Sequence, residues 1–519
     1  MSTRTEVAPP AAALTPDGAG PREAPLRMSA EEFRRLGHQL VDAAAAFLSG
    51  VPDGPVTRDE SPAELRALLG GDAALPADGA DAAALLAETA RLLFGHSLLN
   101  GHPRFFGYIT SSPAPIGMLG DLLAAVVNPN VGSWRLGPIA TEIEAQTVRW
   151  IAELLGYPAD GGGLLVSGGN MANMVGLFAA RAAAADWDVR AAGVAAPGAR
   201  RLRVYASAEA HTWLQKATDL AGLGTDAVRW LPTDDQLRLD VGALRAAVAA
   251  DRAAGDLPML AVGSAGTVAT GAVDPLPEIA QVCREEGLWF HVDGAYGAFA
   301  AAAPDAPPAL AGLALADSVA VDPHKWLYAP LEAGCVLVRD PARLRDAFAY
   351  HPPYYHFGQE ATNYVDYGPQ NSRGFRALKV WLALRQVGRN GYARMIGDDV
   401  ALSRRLHARV AAHPDLEPGT QSLSITTFRY VPADLRAGVG TPEGEAYLDA
   451  LNRALLERLQ TAGEAFVSNA VVRGRYLLRA CIVNFHTAPA DVDALPDIVA
   501  RTGRDVRAAL DAAGGRGGP

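Results

Sequence analysis

Three stretches of the chain differ in the pattern of their apolar and polar residues. Residues 28–100 carry apolar residues at helical spacing, and Ser29 followed by Glu32 forms a capping box at the start of the first predicted helix. From residue 101 to 394, short apolar runs alternate with helical segments, which is typical of βαβ units in a mostly parallel sheet. Residues 395–513 contain predicted helices and strands in an order that indicates a smaller α+β domain.

The pattern therefore predicts an α/β protein in four parts. Residues 1–27 are rich in Ala, Pro and Gly, which cannot form a packed core, so they predict a disordered tail. The N-terminal helical segment (28–100), the large domain (101–394) and the C-terminal domain (395–513) follow it.

Five apolar runs of the large domain predict buried strands: LRVYAS, PMLAVGS, LWFHVD, DSVAVD and GCVLVRD. Ligands of a parallel sheet bind at the carboxyl ends of its strands. The polar residues directly after these runs are therefore the first candidates for a functional site.

Charge and cysteine content exclude several classes of protein. The chain has 46 Lys and Arg residues against 57 Asp and Glu, a net charge of −11, which argues against nucleic acid or an anionic membrane as a partner. No stretch approaches the roughly 18 unbroken apolar residues that a membrane-spanning helix needs. Cys283, Cys335 and Cys481 lie far apart, so neither a disulfide framework nor a metal site is predicted, and the reducing cytoplasm is the expected location.

The strongest chemical signal is the segment DSVAVDPHKWLYAP, residues 317–330. A predicted strand ends at Val321, and a tight turn through Pro323 leads to Lys325. A partly desolvated lysine at a strand end supplies a neutral amine for imine formation more readily than one in water. An ordinary surface lysine is the alternative.

A second signal places a carboxylate after another strand. In LWFHVDGAYGAFA, Asp293 follows an apolar run, and a carboxylate there needs a cationic partner. A protonated pyridine nitrogen could be that partner, and the small Gly294 and Ala295 would let a flat ring approach the backbone. An aspartate that only caps a turn is the alternative.

Two further segments contain an anion-binding turn and a candidate stacking ring. In LLVSGGNMANMV a strand passes through Gly168 and Gly169 into a helix, whose first amides and Asn170 could bind a phosphate. The segment matches neither a Walker loop nor GxGxxG, which argues against a nucleotide-binding protein. His211 follows the strand LRVYAS and could stack on a flat ring. A helix start without an anion and a surface histidine are the alternatives.

Four segments of the chain resemble the group II pyridoxal-phosphate-dependent amino-acid decarboxylases, which include aromatic-L-amino-acid and glutamate decarboxylases: HPRFFGYI, HVDGAYGAF, DSVAVDPHKWL and GFRALKVWLALRQVG. The resemblance covers roughly residues 30–500. It implies the aspartate-aminotransferase-like fold (fold type I) with pyridoxal 5′-phosphate as cofactor and an L-amino acid as substrate. It also implies a homodimer with an interlocked N-terminal helical segment and active sites at the subunit interface.

The resemblance assigns roles to the candidate residues. It implies that Lys325 holds the cofactor as a Schiff base, that Asp293 faces the pyridine nitrogen, and that His211 stacks on the ring and faces the reacting carbon. The other implied cofactor contacts are Gly169, Asn170, Thr267, Ala295 and His324. Asp322 stands where the family frequently has Asn.

A Tyr-, Pro- and Gly-rich stretch, residues 347–374, predicts a long functional loop. The family has a loop tyrosine that supports protonation at Cα, and Tyr354 is its best match, with Tyr355 second. Related enzymes that make aldehydes lack this tyrosine, so its presence favours simple decarboxylation.

Three residues are candidates for the substrate pocket. Tyr108 and Trp134 match pocket segments of the aromatic enzymes, and Gly132 stands where those enzymes tend to have a bulky residue, which predicts a roomier pocket. We favour an aromatic L-amino acid, with aspartate, glutamate and 2,4-diaminobutyrate as alternatives. An aminotransferase or aldehyde synthase on the same fold, and a silent, cofactor-free binding dimer, also remain as hypotheses.

Overall fold

A computed structural model describes residues 24–351 and 361–513 of the 519-residue chain. The chain divides into two compact units. The first comprises Met1–Gly50 and Pro62–Ser97, and the second comprises Val51–Ser61 and Leu98–Pro519.

The described part of the first unit contains three helices: α1 (Ala30–Gly50), α2 (Pro62–Leu68) and α3 (Ala82–His96). The Oγ atom of Ser29 accepts a hydrogen bond of 3.1 Å from the backbone N–H of Glu32, as the capping motif predicts. Phe47 stacks on Phe94 with ring centroids 4.3 Å apart, which joins α1 to α3. Within these three helices only Leu36 is buried, so most of their apolar side chains stay exposed in the single chain.

The second unit is built on a seven-stranded sheet with the strands β1 (Gly162–Val166), β2 (Leu202–Ser207), β3 (Val228–Leu231), β4 (Leu257–Ser264), β5 (Trp289–Asp293), β6 (Ser318–Val321) and β7 (Gly334–Val338). Their spatial order is β1-β7-β6-β5-β4-β2-β3. Strands β3, β2, β4, β5 and β6 pair in parallel, whereas β7 runs antiparallel to β6 and β1. The mostly parallel α/β architecture predicted from the sequence is confirmed.

Helices α4 (Pro115–Val127) and α5 (Pro138–Leu155) precede β1, and α12 (Ala342–Phe348) follows β7. The helices between the strands are α6 (Gly169–Ala184), α7 (Val189–Ala192), α8 (Trp213–Leu220), α9 (Val241–Ala253), α10 (Leu276–Glu286) and α11 (Pro323–Trp326). Buried side chains of α5, α9 and α10 pack on one face of the sheet, and those of α6 and α8 pack on the other. Coverage of both faces explains why the strands are almost continuously apolar.

The C-terminal part contains four further strands and three helices: β8 (Leu416–Ser422), β9 (Ile425–Tyr430), β10 (Ser468–Val472), β11 (Arg475–Cys481), α13 (Ala377–Ala412), α14 (Pro442–Ala462) and α15 (Pro489–Ala513). The strands form an antiparallel sheet in the order β10-β11-β9-β8. The apolar stretch SLSITTFRYV is divided between β8 and β9 because Leu423 turns the chain with a φ of 47°. Residue 395, the predicted start of the C-terminal domain, lies inside α13. This helix bends seven residues earlier, at Gly388, which has a φ of 70°.

No helix in the two described ranges combines the length and the apolar character that crossing a membrane would require.

A buried ion pair joins α5, β1 and the segment that leads into α13. Arg373 and Glu144 are both almost fully buried and form a bidentate pair, in which Nη1 of the arginine lies 3.2 Å from Oε2 of the glutamate. The same guanidinium donates to the carbonyl oxygens of Val131 (2.9 Å) and Leu165 (2.6 Å) and lies 4.6 Å from the centre of the Tyr364 ring. These neutral partners satisfy further donors on Nη1 and Nη2, and Nε of Arg373 has no hydrogen-bond partner among the described residues.

A second buried acid, Asp399 of α13, holds the turn that follows α11. Its Oδ2 atom accepts hydrogen bonds from Trp326 Nε1 (2.8 Å) and from the Tyr328 hydroxyl (2.7 Å). Tyr392, also of α13, donates to the carbonyl oxygen of Leu327 at 3.1 Å. Burial raises the pKa of Asp399 to about 7, because a carboxylate loses hydration inside the protein.

We predict that Glu144→Gln lowers the free energy of unfolding by about 3–5 kcal/mol, because it leaves a buried guanidinium without its counter-charge. Denaturant unfolding followed by circular dichroism measures the change. Glu153→Gln is the matched control on the same helix, because its pair with Arg389 is exposed and 3.8 Å long. The control should cost less than about 1 kcal/mol. Equal effects of the two substitutions would contradict the structural role of the buried pair.

We also predict that Asp399 makes stability fall as the pH rises from about 5 to 7.5. Over this range the folded protein keeps a proton on Asp399 that the unfolded chain has lost, so raising the pH disfavours the folded state. The free energy of unfolding of Asp399→Asn relative to wild type should therefore increase by about 3 kcal/mol across the range. The exposed neighbour Asp398, replaced by Asn, is the control. A difference that stays constant with pH would refute the prediction.

Candidate active site

A cleft of about 430 Å³ opens at the carboxyl edge of the large sheet, and its wall contains residues that follow β1, β4, β5 and β6 in the chain. This is the position expected of a ligand site on a parallel sheet. The cleft brings together all eight residues predicted to contact the cofactor: Gly169, Asn170, His211, Thr267, Asp293, Ala295, His324 and Lys325.

Lys325 reaches the cleft from the short helix α11, directly after β6. Its Nζ atom lies 2.9 Å from Oδ2 of Asp322, whose side chain is only 3% exposed. The other oxygen of this carboxylate, Oδ1, is buried and has no hydrogen-bond partner among the described residues. His324 donates from Nδ1 to the carbonyl oxygen of Ala333 at 2.7 Å. Burial lowers the pKa of His324, so this ring is neutral at pH 7.

Asp293, at the end of β5, supplies the carboxylate of the cleft. Its Oδ2 atom accepts a hydrogen bond of 2.8 Å from the indole N–H of Trp213, and its Oδ1 atom accepts one of 3.2 Å from the backbone N–H of Ala295. A carboxylate has about four acceptor sites. Asp293 therefore keeps acceptor capacity for a donor in the cleft.

The N-terminus of α6 lies at one side of the cleft. Gly168 precedes the helix with a φ of 88°, a conformation that favours glycine. Among the described residues no side chain caps α6, so its first N–H groups remain available to an anion. A Cβ atom at Gly169 would lie 2.7 Å from Asp322 Oδ2 and 3.1 Å from the Cβ atom of Ala295. Any residue larger than glycine would therefore displace the turn or these neighbours.

His211 and Thr267 complete the predicted set. His211 lies just before α8, and its Nδ1 atom accepts a hydrogen bond of 3.1 Å from the backbone N–H of Trp213. Burial is the largest cause of its lowered pKa, so the imidazole that faces the cleft is neutral at pH 7. Thr267 is buried, and its hydroxyl lies 3.0 Å from that of Thr270.

These residues fit pyridoxal 5′-phosphate. The uncapped start of α6 offers donors for a phosphate, Asp293 offers an acceptor for a protonated ring nitrogen, and Lys325 offers an amine for the aldehyde. A neutral imidazole at His211 can face an aromatic ring without the cost of burying a charge. The unpartnered Asp322 Oδ1 is a further sign that the cleft has polar capacity for a ligand.

The structure does not place the predicted substrate-pocket residues in this cleft. Tyr108 and Trp134 do not line it, and both are exposed in the single chain. A Cβ atom at Gly132 would overlap the carbonyl oxygen of Asn371, so the space beside this glycine is occupied in the single chain, and the roomier pocket stays a prediction. Tyr354 lies outside the described residues, so its role stays a prediction.

Two residues that the sequence did not indicate belong to the surroundings of the site. Trp213 bonds directly to Asp293, and its position two residues after His211 was the available signal. Asp399 lies far along the chain in α13, and nothing in its local sequence distinguishes it from a surface acid.

Comparison with known proteins agrees with this geometry. The family model described as the pyridoxal-dependent decarboxylase conserved domain matches residues 62–430. A tyrosine decarboxylase from Oryza sativa subsp. japonica is 35% identical over 472 residues, which cover 88% of this chain and 88% of the relative. A phenylacetaldehyde synthase from Petunia hybrida is 29% identical over 464 residues, which cover 87% of this chain and 90% of the relative.

Among solved structures, the crystal structure of Oryza sativa TDC with PLP and tryptamine matches with a TM-score of 0.85 and 30% identity, covering 93% of this chain and 99% of that one. The family model spans well over half of the chain, and the fold and the cleft agree with it. The chain therefore belongs to the pyridoxal-dependent decarboxylase family.

Proposed function

We propose that this protein decarboxylates an aromatic L-amino acid to the corresponding amine and carbon dioxide, with pyridoxal 5′-phosphate as cofactor. The observation that carries the proposal is the meeting of Lys325, Asp293 and the uncapped start of α6 in one cleft. These three elements match the aldehyde, the ring nitrogen and the phosphate of one cofactor.

The bound cofactor supplies an electron sink, which lets the Cα–carboxylate bond of the substrate break. Asp293 keeps the ring nitrogen protonated and so sustains that sink. Lys325 would hold the cofactor through its amine. His211 packs on the ring and, as a neutral base, can hold a proton near the reacting carbon. The protein's remaining task is to orient the substrate with its carboxylate perpendicular to the ring plane.

The charges of the cleft disfavour an acidic substrate. Of the described residues that line it, Lys325 is the only lysine and none is an arginine, whereas Asp293, Asp322 and Glu332 are acids. Arg104, which could otherwise bind an acidic side chain, already lies 3.7 Å from Asp491 and 4.0 Å from Glu464. An aromatic side chain needs no counter-charge, and the relatives named for tyrosine and for tryptamine support this choice.

We also propose a homodimer with active sites at the subunit interface. Helix α4 exposes a run of large apolar side chains, namely Leu119, Leu122, Leu123, Val126 and Val127. A contiguous apolar surface of this kind is typical of an interface. Leu331, in the wall of the cleft, is also exposed, so the cleft and an apolar surface adjoin in one chain. The sparse core of α1–α3 is a second reason to expect a partner surface.

A cytoplasmic location remains our proposal. Cys283, Cys335 and Cys481 are all buried, unpaired thiols. Thiols persist in a reducing compartment, which supports this location.

The function is tested by carbon dioxide release from each proteinogenic L-amino acid, L-DOPA and 2,4-diaminobutyrate, with added pyridoxal phosphate. We expect release from an aromatic substrate, and loss of at least about 10³-fold in kcat for Lys325→Ala, because the amine that loads and releases the cofactor is gone. Borohydride reduction should attach the pyridoxyl group to Lys325 in the wild type. The control is Lys216→Ala, which removes an exposed lysine near the cleft. Full activity of Lys325→Ala would refute the assignment, and release only from an acidic or diamino acid would change the substrate.

We further propose that Tyr354 protonates Cα, and we predict that Tyr354→Phe diverts product from amine towards aldehyde. Phenylalanine keeps the ring but cannot supply the proton, which leaves the intermediate open to oxidation by oxygen. Chromatography of amine and aldehyde, with a peroxidase-coupled assay of hydrogen peroxide, measures the partition, and Tyr355→Phe is tested in parallel because Tyr355 is the second candidate for this role. An unchanged amine yield would remove Tyr354 from this role. Aldehyde as the main product of the wild type would favour the aldehyde-synthase alternative, an activity named for the Petunia relative.

A further inference from the structure

The carboxylate of Asp293 accepts a hydrogen bond from a buried aromatic side chain. Trp213, the first residue of α8, is 1% exposed and donates its indole N–H to Asp293 Oδ2 at 2.8 Å. Among the described residues this is the one side-chain donor recorded for that carboxylate, and the other donor is the backbone N–H of Ala295 at 3.2 Å. The shorter hydrogen bond, from the indole, therefore fixes the rotation of the Asp293 carboxylate about its Cβ–Cγ bond.

The position of the indole is itself set by the buried side chain of His291 and its hydrogen-bond partners. The ring of Trp213 packs edge to face on His291, with centroids 5.8 Å apart and planes at 75°. His291 lies on β5 two residues before Asp293, so both side chains project from the same face of the sheet. Its Nε2 donates to Asn173 Oδ1 and its Nδ1 accepts from Ser318 Oγ, each at 2.7 Å.

Two features keep His291 and its hydrogen bonds in one arrangement. Burial lowers the pKa of His291 to about 4, so the ring stays neutral and its two hydrogen bonds do not change over the working range of pH. A Cβ atom at Gly176 would lie 2.8 Å from the His291 ring, so the glycine of α6 makes room for it. The indole N–H is therefore presented to Asp293 by a rigid support.

We propose that Trp213 is a positioning residue for the cofactor, acting through Asp293. Its N–H occupies one oxygen of the carboxylate and turns the other acceptor sites towards the cleft, where the ring nitrogen of the cofactor would bind. The inference rests on the proposed function, since it concerns the partner of that nitrogen. The N–H, and not only the bulk of the ring, carries the effect, because a hydrogen bond to a charged group fixes its direction.

The test compares Trp213→Phe with wild type in the full-length protein. Phenylalanine keeps an aromatic ring against His291 but removes the donor. The dissociation constant of pyridoxal phosphate, from absorbance titration, should rise about ten- to a hundredfold, the effect of losing one hydrogen bond to a charged group. In the loaded enzyme kcat should fall with little change in KM. The control is Trp381→Phe, which loses a 2.7 Å bond from Nε1 to Gln146 Oε1 away from the cleft and should leave the dissociation constant unchanged.

A double-mutant cycle separates positioning from general packing. If Trp213 acts through the carboxylate, Trp213→Phe should weaken cofactor binding no further in an Asp293→Ala background. Additive effects, or unchanged affinity in the single variant, would overturn the proposal.

A second measurement covers the case in which Trp213→Phe does not fold. The ¹⁵N–¹H resonance of the Trp213 indole should shift in Asp293→Ala, and an unmoved resonance would overturn the proposal independently. If wild type itself binds no pyridoxal phosphate, the proposed function fails first and the inference falls with it, which distinguishes the two failures.

Discussion

The parallel pairing of β5 with β6 is the constraint on which the site depends. In this register Asp293 lies opposite Ala320, and the hydrogen bonding continues beyond the strand ends. Gly294 donates to Ala320 O at 2.9 Å, and the backbone N–H of Asp322 donates to Ala295 O at 3.2 Å. The turn that carries the acid is thereby bonded to the turn that carries the lysine. Side chains far apart in the chain meet because two adjacent parallel strands end at the same edge.

Burial decides the charge state of the groups gathered there. A carboxylate and an ammonium inside a protein need partners, and Asp293 has two N–H donors while Lys325 has Asp322. For the two imidazoles of the cleft, burial outweighs the nearby carboxylates and lowers the pKa of each, so they are neutral at pH 7. The site thus keeps only those charges that have a structural partner. A neutral His211 is also the form that can accept a proton.

The C-terminal half of the chain contributes stiffness to the site. Helix α13 holds the backbone just beyond Lys325 through Asp399 and Tyr392, and Tyr328 in that turn has a positive φ of 54°. A non-glycine residue in this conformation persists only where its surroundings fix it. Trp326 is in addition stacked on Tyr296, which lines the cleft, with centroids 4.9 Å apart. The lysine therefore extends from a turn that is held on both sides.

The sequence by itself determined the alternating α/β plan, the capping of α1 and eight of the residues that line the cleft. The first two depend on local periodicity and capping, and the cleft residues depend on motifs at strand ends together with the family resemblance, which alone indicated Thr267 and His324. It did not determine β3, the β8–β9 turn at Leu423 or the surroundings of Gly132. A short strand such as VRWL has too few residues to show a period, and the space beside a glycine depends on residues distant in the chain. The partners of buried polar groups were likewise decided only by the tertiary structure. Trp213 is hydrogen-bonded to Asp293, and Trp326 to Asp399, although the partners are far apart along the chain. Such hydrogen bonds form only when packing brings the partners together, so local sequence does not reveal them.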